Sequence, residues 1–344
     1  MPYARQLHLF PINSAFSSVF ALLWSTIRLL HEAQTCENKN DFRDIKTPSA
    51  MTYHMPLYRP PSEAYSLIFQ VTLGCSFNRC AFCSMYRSKT FTIRPLDDVL
   101  GEIRAAGREY PETRRVFLAD GDALVCPTEH LARILDALRE AFPRLARVTC
   151  YALPANLLKK DVEELALLRA RGLAMIYYGI ESGSREILKR ITKGATPEVM
   201  KEGLLKAREA GLKVSATVVL GLGGKSRWRE HVDGTVELVN CVPLNYLSTL
   251  QVYLEPVVQA EFPEKFARLT GAYDPQDDAG ILAEQARLVA GIDPPRPVIF
   301  RANHASNALP LKGILPRDRD TILAMLRAAS SGEAPLRPLY LRGL

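Results

Sequence analysis

After about residue 64, apolar positions recur in two alternating styles. Short runs rich in Val, Ile, Leu, Phe and Tyr cover 66–73, 115–119, 146–151, 174–180, 213–220 and 246–254. Their length and content predict strands buried on both faces. Between them, apolar residues return every three or four positions near 95–109, 128–141, 160–171, 185–211 and 227–240. Leu131, Ile134, Leu135 and Leu138 form one such stripe, the signature of a helix lying with one face on a sheet. Strand–helix alternation predicts an α/β fold on a parallel sheet, because parallel neighbours need a crossover. Six βα units suit a partial barrel or an open sheet, and the pattern leaves both open.

In either arrangement, ligands gather where the carboxyl ends of the strands meet their loops. The unusual residues fall there. The first strand ends at Gly74-Cys75, the second at Asp120-Gly121-Asp122, the fourth at Gly179-Ile180-Glu181-Ser182-Gly183 and the fifth at Gly221-Leu222-Gly223-Gly224. Taken singly, these are weak signals. Asp-Gly-Asp also makes ordinary turns, Glu-Ser-Gly also caps helices, and the glycine run lacks the spacing of a phosphate loop. In series on one face they predict a single ligand-binding mouth.

The strongest chemical signal is Cys75, Cys80 and Cys83, spaced C-x4-C-x2-C on the loop after the first strand. Thiolates so clustered read as ligands of an iron–sulfur centre. Three ligands leave one iron of a cubane open to a substrate or cofactor, as open coordination does at other catalytic metals. An electron carrier of the plant ferredoxin kind uses the same spacing with a fourth cysteine, for which Cys126 is the next in sequence. A zinc module would want a second ligand pair, and none is present. Cys36, Cys126, Cys150 and Cys241 stand singly, so no auxiliary cluster is expected.

Composition narrows the picture modestly. With 344 residues, 47% of them apolar, the chain can bury a large core. Seven cysteines with three in one loop argue against a disulfide framework and for a reducing, cytoplasmic setting. The net charge of +7 is spread out, with no clear nucleic-acid-binding module. Residues 1–50 read as a loosely attached extension, or as sequence upstream of a start at Met51 or Met55. Their apolar stretch Ala15 to Leu30 contains Arg28 and is short for a transmembrane span. The expected layout is therefore an extension over 1–50, a barrel over 60–295, and a C-terminal extension over 296–344 that closes it.

Together, the three-cysteine loop and the strand-end motifs resemble the radical SAM superfamily over residues 60 to about 310. The resemblance implies a partial (β/α)6 barrel, a [4Fe–4S] cluster on Cys75, Cys80 and Cys83, and S-adenosylmethionine on the open iron. The family's usual spacing is C-x3-C-x2-C, so the extra residue before Cys80 is a departure shared with a minority branch. Phe82 matches the aromatic position that packs near the adenine. Asp120, Gly121 and Asp122 replace a Gly-Gly-Glu motif that binds the methionyl amino group. Glu181 and Ser182 match polar contacts to ribose and methionyl groups, and Val219 and Gly221 lie in the segment backing the adenine. The implied chemistry is one-electron reduction of the sulfonium, release of a 5′-deoxyadenosyl radical, and abstraction of a substrate hydrogen atom. A flavodoxin or ferredoxin is the implied reductant.

The run Arg301 to Gly313 follows a strand-like Pro297-Val298-Ile299-Phe300 and holds Asn303, His304, Ser306 and Asn307. His304 is a candidate proton donor or acceptor; equally, these side chains could satisfy backbone groups where the tail meets the barrel. The alternatives to an S-adenosylmethionine enzyme of unknown substrate are an iron–sulfur electron carrier, a porphyrin-pathway oxidase, or an RNA-modifying enzyme. For the oxidase, Arg79, Arg87, Lys89 and Arg94 would hold propionates. For the RNA enzyme, the roughly thirty residues after 313 are too few for an added domain.

Overall fold

The computed structural model describes residues 51–269 and 271–343. The expectations for residues 1–50, Cys36 included, fall outside the described residues.

The chain builds β1 (Leu67–Gln70), β2 (Thr72–Leu73), β3 (Thr92–Ile93), α1 (Leu96–Glu109), β4 (Arg115–Ala119) and α2 (Thr128–Ala141). Next come β5 (Arg147–Ala152), α3 (Pro154–Lys159), α4 (Val162–Ala170), β6 (Leu173–Glu181), α5 (Arg185–Arg190) and α6 (Pro197–Glu209). The remainder is β7 (Lys213–Leu220), α7 (Gly224–Asn240), β8 (Tyr246–Gln251), α8 (Pro256–Gln259), α9 (Glu261–Ala267), α10 (Asp278–Gly291), β9 (Val298–Arg301), β10 (Lys312–Leu315) and α11 (Arg319–Ser330). Among the described residues, no helix is long and apolar enough to cross a membrane.

The α/β class with a mostly parallel sheet is as expected. The main sheet has eight strands in the order β1-β4-β5-β6-β7-β8-β9-β10. All pairs are parallel except the last, where β10 runs antiparallel to β9. β9 and β10 continue the sheet, and its two end strands, β1 and β10, are not paired with each other among the described residues.

Three boundaries depart from the sequence reading. The first predicted strand breaks at Val71, and β2 turns away to pair with β3 in a separate ribbon. The long helix expected over 185–211 is two helices. Thr192 and Gly194 both take positive φ, and Thr196 caps the new start with Pro197 following, as a Thr-Pro N-terminus does. The short α3, with Asn156 accepting from the Leu153 N–H at 2.6 Å, precedes the expected helix.

The sheet has two different faces. Against the helices lies the main core, with Val99, Ile103 and Ala106 of α1 and Leu131, Ile134, Leu135 and Leu138 of α2 buried on it. Each buried Val, Ile or Leu among them contributes about 1.5–3 kcal/mol over its exposed state. The opposite, inner face holds a smaller aromatic cluster of Phe117, Tyr151 and Tyr177 packed edge to face.

The segment before β1 fills that side. Tyr53 donates to Ile68 O at 3.0 Å, and His54 exchanges two hydrogen bonds with the Gln70 side chain. Tyr177 OH lies 2.7 Å from Ser62 Oγ and donates to Glu63 Oε1 at 2.6 Å. The same Glu63 oxygen pairs with Arg147 at 2.8 Å. The inner face of β1 and β4–β6 is thereby occupied by the protein itself.

Candidate active site

The cysteine loop leaves β2 through Gly74, whose φ of 73° suits a residue without Cβ. Its shape is held by the backbone. Cys83 N–H donates to Cys80 O at 3.2 Å, and Ala81 N–H reaches Ile191 O at 2.8 Å. Arg87 clasps both cysteine carbonyls, at 2.7 Å from Cys80 O and 3.0 Å from Cys83 O. Cys75, Cys80 and Cys83 are free thiols, partly exposed.

Burial pushes the Cys80 thiol up to about 12, opposed first by the Lys193 ammonium and raised further by Cys83, Glu181 and Cys75. Backbone N–H groups of Phe77 and Asn78 serve Cys75, and that of Met85 serves Cys83. Donors aimed at sulfur suit thiolates bound to iron, whose potential such hydrogen bonds tune. Among the described residues, no three thiol, imidazole or carboxylate groups converge on a single ion.

The Asp120–Asp122 turn braces this loop. Both oxygens of the fully buried Asp120 are engaged, by Gln70 at 3.1 Å, the Gly74 N–H at 2.9 Å and Lys89 at 2.7 Å. Gly121 N–H donates to Gly74 O, and a Cβ here would come within 3.1 Å of Cys75 Cβ. Asp122 accepts from Ser76 and, at 3.5 Å, from Asn156, while its buried Oδ1 has no partner. Burial raises the Asp122 carboxyl to about 6.

Glu181 ends β6 at a φ of 62°, with Oε1 taking a 3.0 Å ion pair from Lys193. A Cβ on Gly179 would lie 2.9 Å from Lys193 Nζ, so the glycine makes room for that pair. Lys193 is buried and paired with Glu181, and it is the cation nearest in effect to the Cys80 and Cys83 thiols. Burial raises the Cys75 thiol, with Asp122 adding to the rise and Lys193 opposing it. Phe82 packs half-buried against the core, and Val219 is buried on β7.

Ser182 is fully buried and bonds inward, to His231 Nδ1 at 2.8 Å. His231 Nε2 stands 3.3 Å from Glu284 Oε1, which accepts the Gly221 N–H at 2.8 Å. A buried polar chain thus joins the ends of β6 and β7 through α7 and α10. Burial drives His231 down to about 4 and Glu284 up to about 8, so both favour their neutral forms. Glu284 binds its proton more tightly folded than unfolded, so its contribution is full below 4.5 and lost as pH rises through about 8. The His231 contribution is present above 6.5 and lost as pH falls through about 4. Between about pH 4.5 and 6.5 the two slopes oppose each other, and from about 6.5 to 8 stability measured by denaturant unfolding is expected to fall by up to about 1.4 kcal/mol per pH unit. Glu284→Gln is expected to flatten that stretch; an unchanged slope would place the titration elsewhere.

His304 sits on the β9–β10 loop, with Nδ1 bonded to Ser306 Oγ at 2.9 Å, and burial lowers its pKa. Ser306 accepts from Gln251 N–H, Asn307 donates to Thr249 O, and Arg337 donates to the carbonyls of His304, Ala305 and Asn307. These bonds tie the loop to the end of β8. The four basic residues near the cysteines are also engaged. Arg87 holds the loop, Lys89 pairs with Asp120, Arg94 pairs with Glu102 at 2.7 Å, and Arg79 lies over the Phe77 ring.

A parallel α/β sheet with three free thiols at the end of its first strand defines a cluster-binding enzyme of the partial-barrel kind. The radical SAM superfamily model matches residues 69–239, and the chain belongs to that superfamily. Its members use a [4Fe–4S] cluster on three cysteines together with S-adenosylmethionine, and Cys75, Cys80 and Cys83 supply that set. The chain is 25% identical over 206 residues to an uncharacterized methyltransferase of Pyrococcus horikoshii, covering 59% of this chain and 42% of the relative. It is 26% identical over 157 residues to a putative methylthiotransferase of Methanocaldococcus jannaschii, covering 43% and 33%. It thus spans less than half the length of either relative. Coproporphyrinogen III oxidase of Escherichia coli, a radical SAM enzyme, shares the fold at a TM-score of 0.50 and 18% identity, over 65% of this chain and 51% of that one.

Proposed function

We propose that this enzyme reductively cleaves S-adenosylmethionine and delivers the 5′-deoxyadenosyl radical to a C–H bond of its substrate. The observation that carries the reading is one short loop that presents three free thiols, with Asp122 bonded to Ser76 beside the first of them. Cys75, Cys80 and Cys83 would hold the cluster, which would pass one electron from a flavodoxin or ferredoxin to the sulfonium, leaving methionine and the radical. The chain's own residues bind and orient. Asp122 Oδ1, buried without a partner, is a ready acceptor for an ammonium group. Lys193 offers a charge to a carboxylate beside it. Together they match the two ends of an amino acid. Phe82, Val219 and Gly221 are assigned to the adenine side, and Glu181 to the ribose.

An electron carrier would need a fourth thiolate, and Cys126 is fully buried in the aliphatic core. A reducing, cytoplasmic setting suits thiols that must stay free for iron. The test is 5′-deoxyadenosine release by anaerobically reconstituted protein with dithionite and S-adenosylmethionine. Its absence from protein carrying about four irons per chain, with cell extract added as a substrate source, would overturn the reading. Lys193→Gln is expected to raise the KM for S-adenosylmethionine about tenfold, the worth of roughly 1.4 kcal/mol, with a smaller effect on kcat. An unchanged KM would remove Lys193 from the binding role.

A further inference from the structure

On the inner face, beyond the part that the segment before β1 covers among the described residues, a row of polar side chains crosses the sheet between apolar neighbours. Register pairs Gly179 with Thr217, Thr217 with Ser248, and Ser248 with Arg301 across β6, β7, β8 and β9. Directly paired residues share a face of the sheet, so these four stand in line. Thr217, Ser248 and Arg301 are half-buried, while Val298 and Phe300 on the other face of β9 are fully buried. The row starts beside the Glu181–Lys193 pair, which crowds Gly179. At strand spacings near 4.8 Å, it reaches Arg301 after about 14 Å.

Its far end is anomalous. Across the antiparallel β9–β10 pair, Arg301 is directly opposite Lys312. Like charges facing each other on adjacent strands destabilise a sheet. Neither residue forms an ion pair among the described residues, and the only hydrogen bond of the Arg301 guanidinium is to Phe300 O at 2.8 Å. The other opposed basic pair of this sheet, Arg115 and Arg147, is relieved by Glu63 beside Arg147, and Arg87, Lys89 and Arg94 near the cysteines are ion-paired. Two cations side by side without a counter-charge among the described residues, Arg301 half-buried and Lys312 exposed, at the end of a hydroxyl-lined row, suit an anion.

We propose that Arg301 and Lys312 bind an oxyanion carried by the substrate, and that this anion is a phosphate ester. A planar guanidinium clamps two oxygens and an ammonium adds a point charge, so the pair matches a dianion; Arg301 alone would suffice for a single carboxylate. Thr217 and Ser248 line the path from this anchor towards the cofactor end. For what happens at that end, the assignment rests on the reading of the site as one that cleaves S-adenosylmethionine.

The test is thermal unfolding of the reconstituted full chain at matched ionic strength, in chloride, inorganic phosphate or acetate. Phosphate strengthens burial in any protein, so the measure is the difference between unmodified protein and the variants Arg301→Gln and Lys312→Gln. The phosphate-specific rise in Tm is expected to fall by more than half in each variant, with a smaller rise from acetate. Equal rises in all three proteins would mean a general salt effect and overturn the site. Acetate matching phosphate, with a loss in Arg301→Gln alone, would overturn the phosphate assignment in favour of a carboxylate. In low-salt chloride, Lys312→Gln is expected to melt at or above the unmodified protein. A fall of several degrees would show that the lysine already has a counter-charge, against the proposal. 5′-Deoxyadenosine release from the unmodified protein is followed alongside. Its absence with the phosphate effect intact sinks the radical reading alone; its presence without that effect sinks the anion site alone.

Discussion

Cys80→Ala is expected to yield folded protein that holds little iron and releases no detectable 5′-deoxyadenosine. Two thiolates cannot keep a cubane in place while one iron stays open for S-adenosylmethionine. The loop around Cys80 does not depend on its sulfur. Arg87 and the Cys83 N–H both hold the Cys80 carbonyl, and Ala81 is pinned to Ile191. Removing one partly exposed sulfur there is expected to change stability by no more than about 1 kcal/mol. Iron per chain and nucleoside release should therefore collapse while Tm stays within a few degrees. A full iron complement with retained cleavage would refute the ligand assignment. A large fall in Tm would instead make the thiol part of the scaffold.

The second large effect is expected from a single methyl group at Gly183. This residue follows Glu181 and Ser182 and lies directly on α7, where an added Cβ would sit 2.6 Å from Thr235 Cα and closer still to the Gly234 carbonyl. Gly234 faces it in return, with its own Cβ position 2.9 Å from Ser184 N. Backbone meets backbone, so no side chain can rotate away. Gly183→Ala must push the β6 loop off the helix, breaking the 2.8 Å bond from Gly183 N–H to Thr235 Oγ1 and displacing Ser182 from His231. Overpacking of this kind costs about 1–3 kcal/mol, and here the displaced segment carries Glu181. The expected result is a lower Tm together with a KM for S-adenosylmethionine raised at least about tenfold. Gly101→Ala, on a stretch of α1 where a Cβ meets nothing within 4 Å, is the control. It is expected to gain about 0.5–1 kcal/mol. A Gly183→Ala protein with unaltered KM would detach the loop's position from cofactor binding.

How much of this was legible in the sequence depends on whether a residue's partner lies nearby in the chain. The strands over 115–119 and 213–220 and the stripe of α2 are written in local periodicity, and the structure places them at those positions. The break between α5 and α6 was also written there, in Thr192, Gly194 and Thr196-Pro197, but the strong helical pattern on either side masked it. The cysteine loop was legible because a cluster gathers its ligands from one short segment. Lys193 was not, because a lysine beside a glycine carries no local sign that it is buried against Glu181. His231 and Glu284 are 53 positions apart by number and meet only when α10 packs beside α7. Arg301 and Lys312 become a pair only through the register of two strands, one of which, β10, no sequence pattern announced. Asp120 and Asp122 look equivalent in the motif. The fold separates them, saturating one with Gln70, Gly74 and Lys89 and leaving an oxygen of the other bare.

The stretch from Tyr53 to Glu63, stitched to Ile68, Gln70, Arg147 and Tyr177, sets the traffic through the site. If substrate is anchored at Arg301 and Lys312 as proposed, its doorway would lie on the β9–β10 side. A substrate held by its tail at that doorway would shield the cofactor behind it from solvent for as long as it stays. Its departure as product would be what reopens the way for the next S-adenosylmethionine.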